Sequence, residues 1–138
     1  MWLMFAVGSA LFAGLTSILA KCGIRKTDST VATAIRTSVV LCITWGIVVA
    51  GNHVGEAKGI TAHTWLFLVL SGAATGLSWL FYFKALQTGD VARVAPIDKL
   101  SVVITIGLAL IFLKETVSAR VIVGALFITA GSIMMLYK

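Results

Sequence analysis

Apolar positions along the chain neither alternate nor form narrow helical stripes. They come in five long runs, at 2–20, 30–50, 64–83, 91–113 and 121–137, each roughly 17–23 residues, about what an α-helix needs to cross a bilayer. Helices are required there, because a lone strand would leave backbone N–H and C=O groups unpaired in lipid. The breaks between the runs are short and polar: "KCGIRKTDS", "GNHVGEAKGITAH", "KALQTGD" and "KETVSAR". None is long enough to fold as a soluble domain. The pattern predicts an all-α integral membrane protein, one domain over residues 1–138 with five transmembrane helices, whose function must reside in the helices or at their ends.

Composition agrees. Of the 138 residues, 59% are hydrophobic and 12% charged, with mean hydropathy +1.05. Soluble domains run at about 45–50% apolar and about 25% charged. The first run has no basic stretch before it and no small-x-small cleavage site after it, so it reads as a span and not as a removable signal. Cys22 and Cys42 fit neither metal nor disulfide spacing.

The formal charge of +6 does not indicate nucleic acid, because the basic residues flank apolar runs and do not gather on one polar face. They report orientation instead. Lys58, Lys114 and Arg120 fall on one side; Lys21, Arg25, Lys26, Lys84, Arg93 and Lys138 fall on the other; Arg36 and Lys99 lie within runs. The richer side is expected to be cytoplasmic, with the N-terminus outside and the C-terminus inside. The bias is moderate, and insertion of some molecules the other way stays open.

Small residues recur at helix-packing spacing: Ala34, Ser38, Cys42, Gly46 and Ala50 in the second run, Gly72 and Gly76 in the third, Gly124 and Gly131 in the fifth. Such ridges let helix backbones approach closely, within one bundle or between two copies of a chain.

The ionisable residues inside the runs carry the functional signal. A charge near the middle of a membrane helix costs about 2.5–3.5 kcal/mol on insertion scales. Arg36 lies about 9 Å into the second run and Asp98 about 10 Å into the fourth, at ~1.5 Å per residue. Lys84 is expected to cap the third. With the predicted topology, Arg36, Lys84, Asp98 and Lys99 fall at one depth near the cytoplasmic face. On a regular helix Asp98 shares a face with Ser101 and Thr105, whereas Lys99 points elsewhere, pairing across a helix interface or reaching toward headgroups. Pro96 has no N–H for the carbonyl of Ala92, so a kink is expected there. The alternatives are that Arg36 and Lys84 snorkel, and that Asp98 is a helix N-cap. The latter would leave a fourth helix of about 24 Å, short of a roughly 30 Å core, which favours Asp90 as the cap.

This polar cluster, with its surplus of positive charge, favours a substrate bearing a carboxylate or phosphate, with Asp98 as an ion-pair partner or ligand contact. Trp79 and Tyr82, one turn apart, are candidates to stack on a substrate, the alternative being anchoring at the lipid interface. His53, Glu56 and His63 share the second break without standard metal spacing. No nucleophile–base set, HExxH or phosphate-cradling loop occurs, so neither an enzyme nor a cofactor nor a metal is indicated.

The pieces "FYFKAL", "VAPIDKLSVV", the "LKE" closing the fourth run, the Gly124/Gly131 pair and "ATAIRT" around Arg36 together resemble the EamA unit of the drug/metabolite transporter superfamily. The resemblance spans the chain and is strongest after Ser78. Larger members carry two such units related by an inverted repeat; it therefore implies a small, five-helix member that dimerises to complete a pathway. The related four-helix multidrug exporters carry a glutamate in their first span, but residues 2–20 contain no acid.

The expectation is a secondary transporter of a small polar metabolite, anionic or zwitterionic, working by alternating access as a dimer in a prokaryotic cytoplasmic membrane. Asp98, Arg36, Lys84, Lys99, Ser101 and Thr105 would contact substrate or coupling ion, and Pro96 would be the hinge. The rivals are a non-transporting scaffold and a multidrug cation exporter.

Overall fold

The computed structural model describes residues 1–24 and 26–137. Arg25 and Lys138, both used above to assign orientation, lie outside the described residues, as does the side chain of Lys58. All regular structure among the described residues is helical: α1 (Trp2–Gly23), α2 (Ser29–Ala50), α3 (Val54–Lys58), α4 (Ala62–Thr88), α5 (Val91–Asp98), α6 (Ser101–Leu108), a π turn (Ala109–Leu113) and α7 (Ala119–Met134). Among the described residues, four stretches are long and apolar enough to cross a membrane: Trp2–Gly23, Ser29–Ala50, Ala62–Thr88 and Val91–Leu113. The 16-residue α7 is apolar but shorter.

The helices depart from the predicted runs where local chemistry outweighs hydropathy. The third run was expected to end at Phe83 with Lys84 as its cap. Instead α4 continues to Thr88, because Lys84, Ala85, Leu86 and Gln87 are all good helix formers, although Lys84 and Gln87 are polar. Lys84 is therefore one turn inside the helix. The second break holds the five-residue α3, too short to show a periodicity of its own.

Asp28 starts α2. Its Oδ1 accepts the backbone N–H of Thr30 at 2.8 Å and of Val31 at 3.4 Å, meeting two of the donors that a helix start leaves without intrahelical partners. Asp90 occupies the N-cap position of α5, as expected, but its side chain makes no cap hydrogen bond.

The fourth run is helical on both sides of an interruption at Lys99–Leu100. Around it, N–H groups reach carbonyls three residues back: Lys99 to Pro96 at 3.1 Å, Leu100 to Ile97 at 2.9 Å, Val102 to Lys99 and Val103 to Leu100 at 3.0 Å. Pro96, which lacks the N–H that would bond the Ala92 carbonyl, lies inside α5, three residues before this interruption. The run closes with Lys114 at φ 53°, a left-handed residue where glycine is usual. Its N–H and that of Glu115 converge on the Ala109 carbonyl.

Contacts divide the chain into two units: Leu19–Gln87, and Met1–Ile18 with Thr88–Lys138. In the first, the buried residues Ile24, Ser29, Thr33, Phe83 and Leu86 all fall where α1 ends, α2 begins and α4 ends. Lys21 Nζ donates to the Leu86 carbonyl, and Gln87 Nε2 donates to the Thr27 carbonyl at 3.2 Å. In the second unit α7 packs on α5 and α6, with Ala125 and Ser132 buried.

Elsewhere large apolar side chains face outward: Phe12 is 72% exposed, Phe81 76% and Phe127 74%. Exposed apolar surface on this scale is foreign to soluble monomers and suits contact with lipid. Span hydroxyls are met locally, Thr33, Thr37, Thr75 and Thr129 each donating to the carbonyl four residues back. The small-residue ridges do not act as close contacts among the described residues: a methyl group added at Gly46, Gly72, Gly76, Gly124 or Gly131 would meet nothing within 4 Å.

Candidate functional site

The predicted site residues divide between the two units. Arg36, Trp79, Tyr82 and Lys84 belong to the first; Pro96, Asp98, Lys99, Ser101 and Thr105 belong to the second.

In the first unit the Asp28 cap fixes where α2 begins and so places Arg36 two turns in, about 10 Å from Ser29 at ~1.5 Å per residue. The half-buried Arg36 carries its guanidinium over α4, with Cζ 4.0 Å from the Trp79 ring centroid and 5.2 Å from that of Phe83. Trp79 and Phe83 are four residues apart and share one face of α4. The aromatic quadrupole attracts the cation, a contact worth about 0.5–2 kcal/mol that strengthens with desolvation. Tyr82, half-buried, meets Phe83 edge-on at 6.0 Å between centroids. Trp79 is thus engaged by Arg36, and its ring partner toward the cation is Phe83, a residue the sequence reading passed over. The i, i+4 spacing of Trp79 and Phe83 marks an aromatic face on α4 but does not say that Arg36 meets it.

Lys84 points to the end of the helix, with Nζ 3.5 Å from Gln87 Oε1. It also helps to hold the Asp28 carboxyl below the ordinary aspartate range, although the larger causes there are hydrogen bonds from the Thr30 backbone, the Thr30 side chain and the Val31 backbone.

In the second unit Asp98 and Lys99 pair with each other: Lys99 Nζ lies 3.5 Å from Asp98 Oδ2, with side chains 57% and 39% exposed respectively. The pair is therefore local to one stretch of chain and does not cross a helix interface, which was one of the two expectations for Lys99. Consecutive residues diverge on a regular helix, but α5 ends at Asp98, and the long lysine stem folds back from the interruption. Ser101 and Thr105 are exposed, and no hydrogen bond from either hydroxyl occurs among the described residues. The buried Ser132 hydroxyl donates to the Pro96 carbonyl at 2.9 Å, so α7 holds the segment where the helix is interrupted. In the second break His53 Nδ1 lies 2.8 Å from Glu56 Oε1, and the His63 ring sits 4.7 Å from that of Phe67.

An all-helical chain with outward apolar faces and ionisable side chains within its spans has the features of a membrane transport protein. The model of the EamA-like transporter family matches residues 1–137. A Sinorhizobium sp. protein described as an uncharacterized transporter in the cobO 3' region is 46% identical over 134 residues, covering 97% of this chain and 95% of that protein. No solved structure matches. The chain belongs to the EamA-like transporter family, which supports a multi-pass membrane transporter and not an enzyme.

Proposed function

We propose that this chain is a secondary transporter that moves a small polar metabolite, anionic or zwitterionic, across a prokaryotic cytoplasmic membrane. The observation that carries the reading is Arg36: a guanidinium about two turns inside a membrane helix, held on aromatic faces with no acid paired to it among the described residues. A permanent cation kept at that depth without a counter-ion suits a negative group that arrives and leaves. In the same unit Tyr82 lies beside Phe83, and Lys84 is held at the helix end by Gln87. The second unit, taken by itself, offers Asp98, Lys99 and the exposed hydroxyls of Ser101 and Thr105 as contacts to substrate or coupling ion.

Alternating access would use the interruption after Pro96 as its flexible point, bending the fourth span there. In this reading α7 is a fifth span. Its 16 residues give about 24 Å of helix, against a core of roughly 30 Å. The N-terminus is outside, the C-terminus inside, and two copies pair through the uncovered small-residue faces to complete the pathway.

The scaffold reading draws on Asp98, already paired with Lys99, and on the Ser132–Pro96 bond, both of which serve structure. A ligand screen separates them. Thermal unfolding of the purified protein is followed with organic acids, amino acids, sugars and quaternary amines. The transporter reading expects stabilisation by acids or zwitterions; a scaffold is stabilised by none of the panel, and a multidrug cation exporter by the amines.

A further inference from the structure

Arg36 meets rings where a paired charge would be the ordinary solution. Its guanidinium carbon is 4.0 Å from the centroid of Trp79 and 5.2 Å from that of Phe83. The ion pairs among the described residues are His53–Glu56 and Lys99–Asp98, so no carboxylate neutralises it there. Aromatic faces attract a cation but offer no lone pairs to its N–H groups. All five donors of the guanidinium therefore keep their capacity, and among the described residues none is spent on the protein. A ring bed also restrains a side chain that otherwise loses much rotamer freedom when it binds.

We propose that Arg36, bedded on Trp79 and Phe83, binds the carboxylate of the transported substrate, with the two rings as positioning residues that hold the guanidinium fork ready. This rests on the transporter reading above and adds the chemical class of the ligand and the residues that orient its receptor. A carboxylate fits better than a phosphate. One guanidinium makes a planar, bidentate match to a single negative charge. A doubly charged phosphate needs a second cation, and the basic side chain next to Phe83, Lys84, is turned to Gln87 Oε1 and the charge of Asp28. A quaternary amine would be repelled.

The test titrates the purified full-length chain with acetate, lactate and benzoate, with the methyl ester of each, and with inorganic phosphate. Thermal unfolding and tryptophan emission are read. At least one carboxylate should stabilise wild type and alter its emission, while its ester and phosphate do neither. Arg36→Gln should weaken that carboxylate tenfold or more, and Arg36→Lys should do the same, since a point charge lacks the fork. Trp79→Leu should weaken it about fivefold, whereas Trp79→Tyr stays within about twofold, as loss and retention of a cation–π contact require. Trp45→Leu, elsewhere on α2, should leave affinity unchanged. Binding of the ester or phosphate as tight as the acid, wild-type affinity in Trp79→Leu, or no carboxylate binding at all would overturn the assignment. The two readings fail differently. Carboxylate counterflow that is insensitive to Trp79→Leu removes this site and leaves the transporter; carboxylate binding with no counterflow of any solute keeps the site and removes the transporter.

Discussion

The hydroxyl of Ser132 donates to the carbonyl oxygen of Pro96 at 2.9 Å, tying α7 to the segment where the fourth span loses its regular hydrogen bonding. Besides this bond, the segment is held by its own i+3 bonds and by the packing of α7 on α5 and α6. The serine is 5% exposed, so the bond is made away from competing water. Ser132→Ala should cost about 0.5–1.5 kcal/mol of stability, the usual net worth of one intramolecular hydrogen bond. Denaturant unfolding in detergent measures it. A variant as stable as wild type would show that this bond does not hold the interruption.

Pro96→Ala tests the same segment from the other side. Alanine restores an N–H to the Ala92 carbonyl and removes the ring, so α5 should run on more regularly and the protein should become more stable. If the interruption is the flexible point of transport, turnover should fall as stability rises. Higher stability with undiminished turnover would separate the proline from the motion.

Asp28 gives a pH signature outside the membrane. Its carboxylate accepts from the Thr30 and Val31 N–H groups, and its folded pKa is lowered below the ordinary aspartate value. A lowered folded pKa means that the unfolded chain takes up the proton first as pH falls. The cap's contribution is therefore fully present above the ordinary aspartate range and is lost as pH falls through the folded pKa. Wild type should lose more thermal stability between neutral pH and pH ~3 than Asp28→Asn, whose amide oxygen still caps but does not titrate. Asp28→Ala should be less stable than wild type at neutral pH. Equal pH slopes in wild type and Asp28→Asn would show that the cap is not made by the charged form.

How much of this was legible beforehand depended on the range of the interaction. Four of the runs fall on helical stretches long and apolar enough to cross a membrane, and the fifth overlaps the shorter α7, because hydropathy over some twenty residues is a signal each segment carries by itself. The end of the third was misplaced because helix propensity carried "KALQT" on past the change in polarity. Asp28 was missed although "TDST" before an apolar run is a cap signal. Asp98 and Lys99 were expected to diverge because a regular helix was assumed; the i+3 turns after Pro96 invalidate that period locally. The Arg36–Trp79 contact joins residues 43 positions apart on two helices, and no spacing within one segment encodes such a meeting.

Asp98→Asn distinguishes support from passage at the second cluster. The pair with Lys99 is 57% and 39% exposed and 3.5 Å long, so its worth to stability is about 0–1 kcal/mol. The unfolding midpoint of Asp98→Asn should stay close to that of wild type while solute movement falls. A collapse of stability with no separate transport defect would make the pair structural.

In the proposed transporter, ionisable groups within the spans serve the movement of a solute. The decisive experiment is counterflow of a labelled solute identified by the ligand screen, in proteoliposomes containing wild type, Arg36→Gln or Asp98→Asn at matched folded amounts. Rapid exchange by wild type, with at least a tenfold slower rate in each folded variant, is the predicted result. Variants that exchange as fast as wild type, or a wild-type protein that exchanges nothing across the panel, would contradict it.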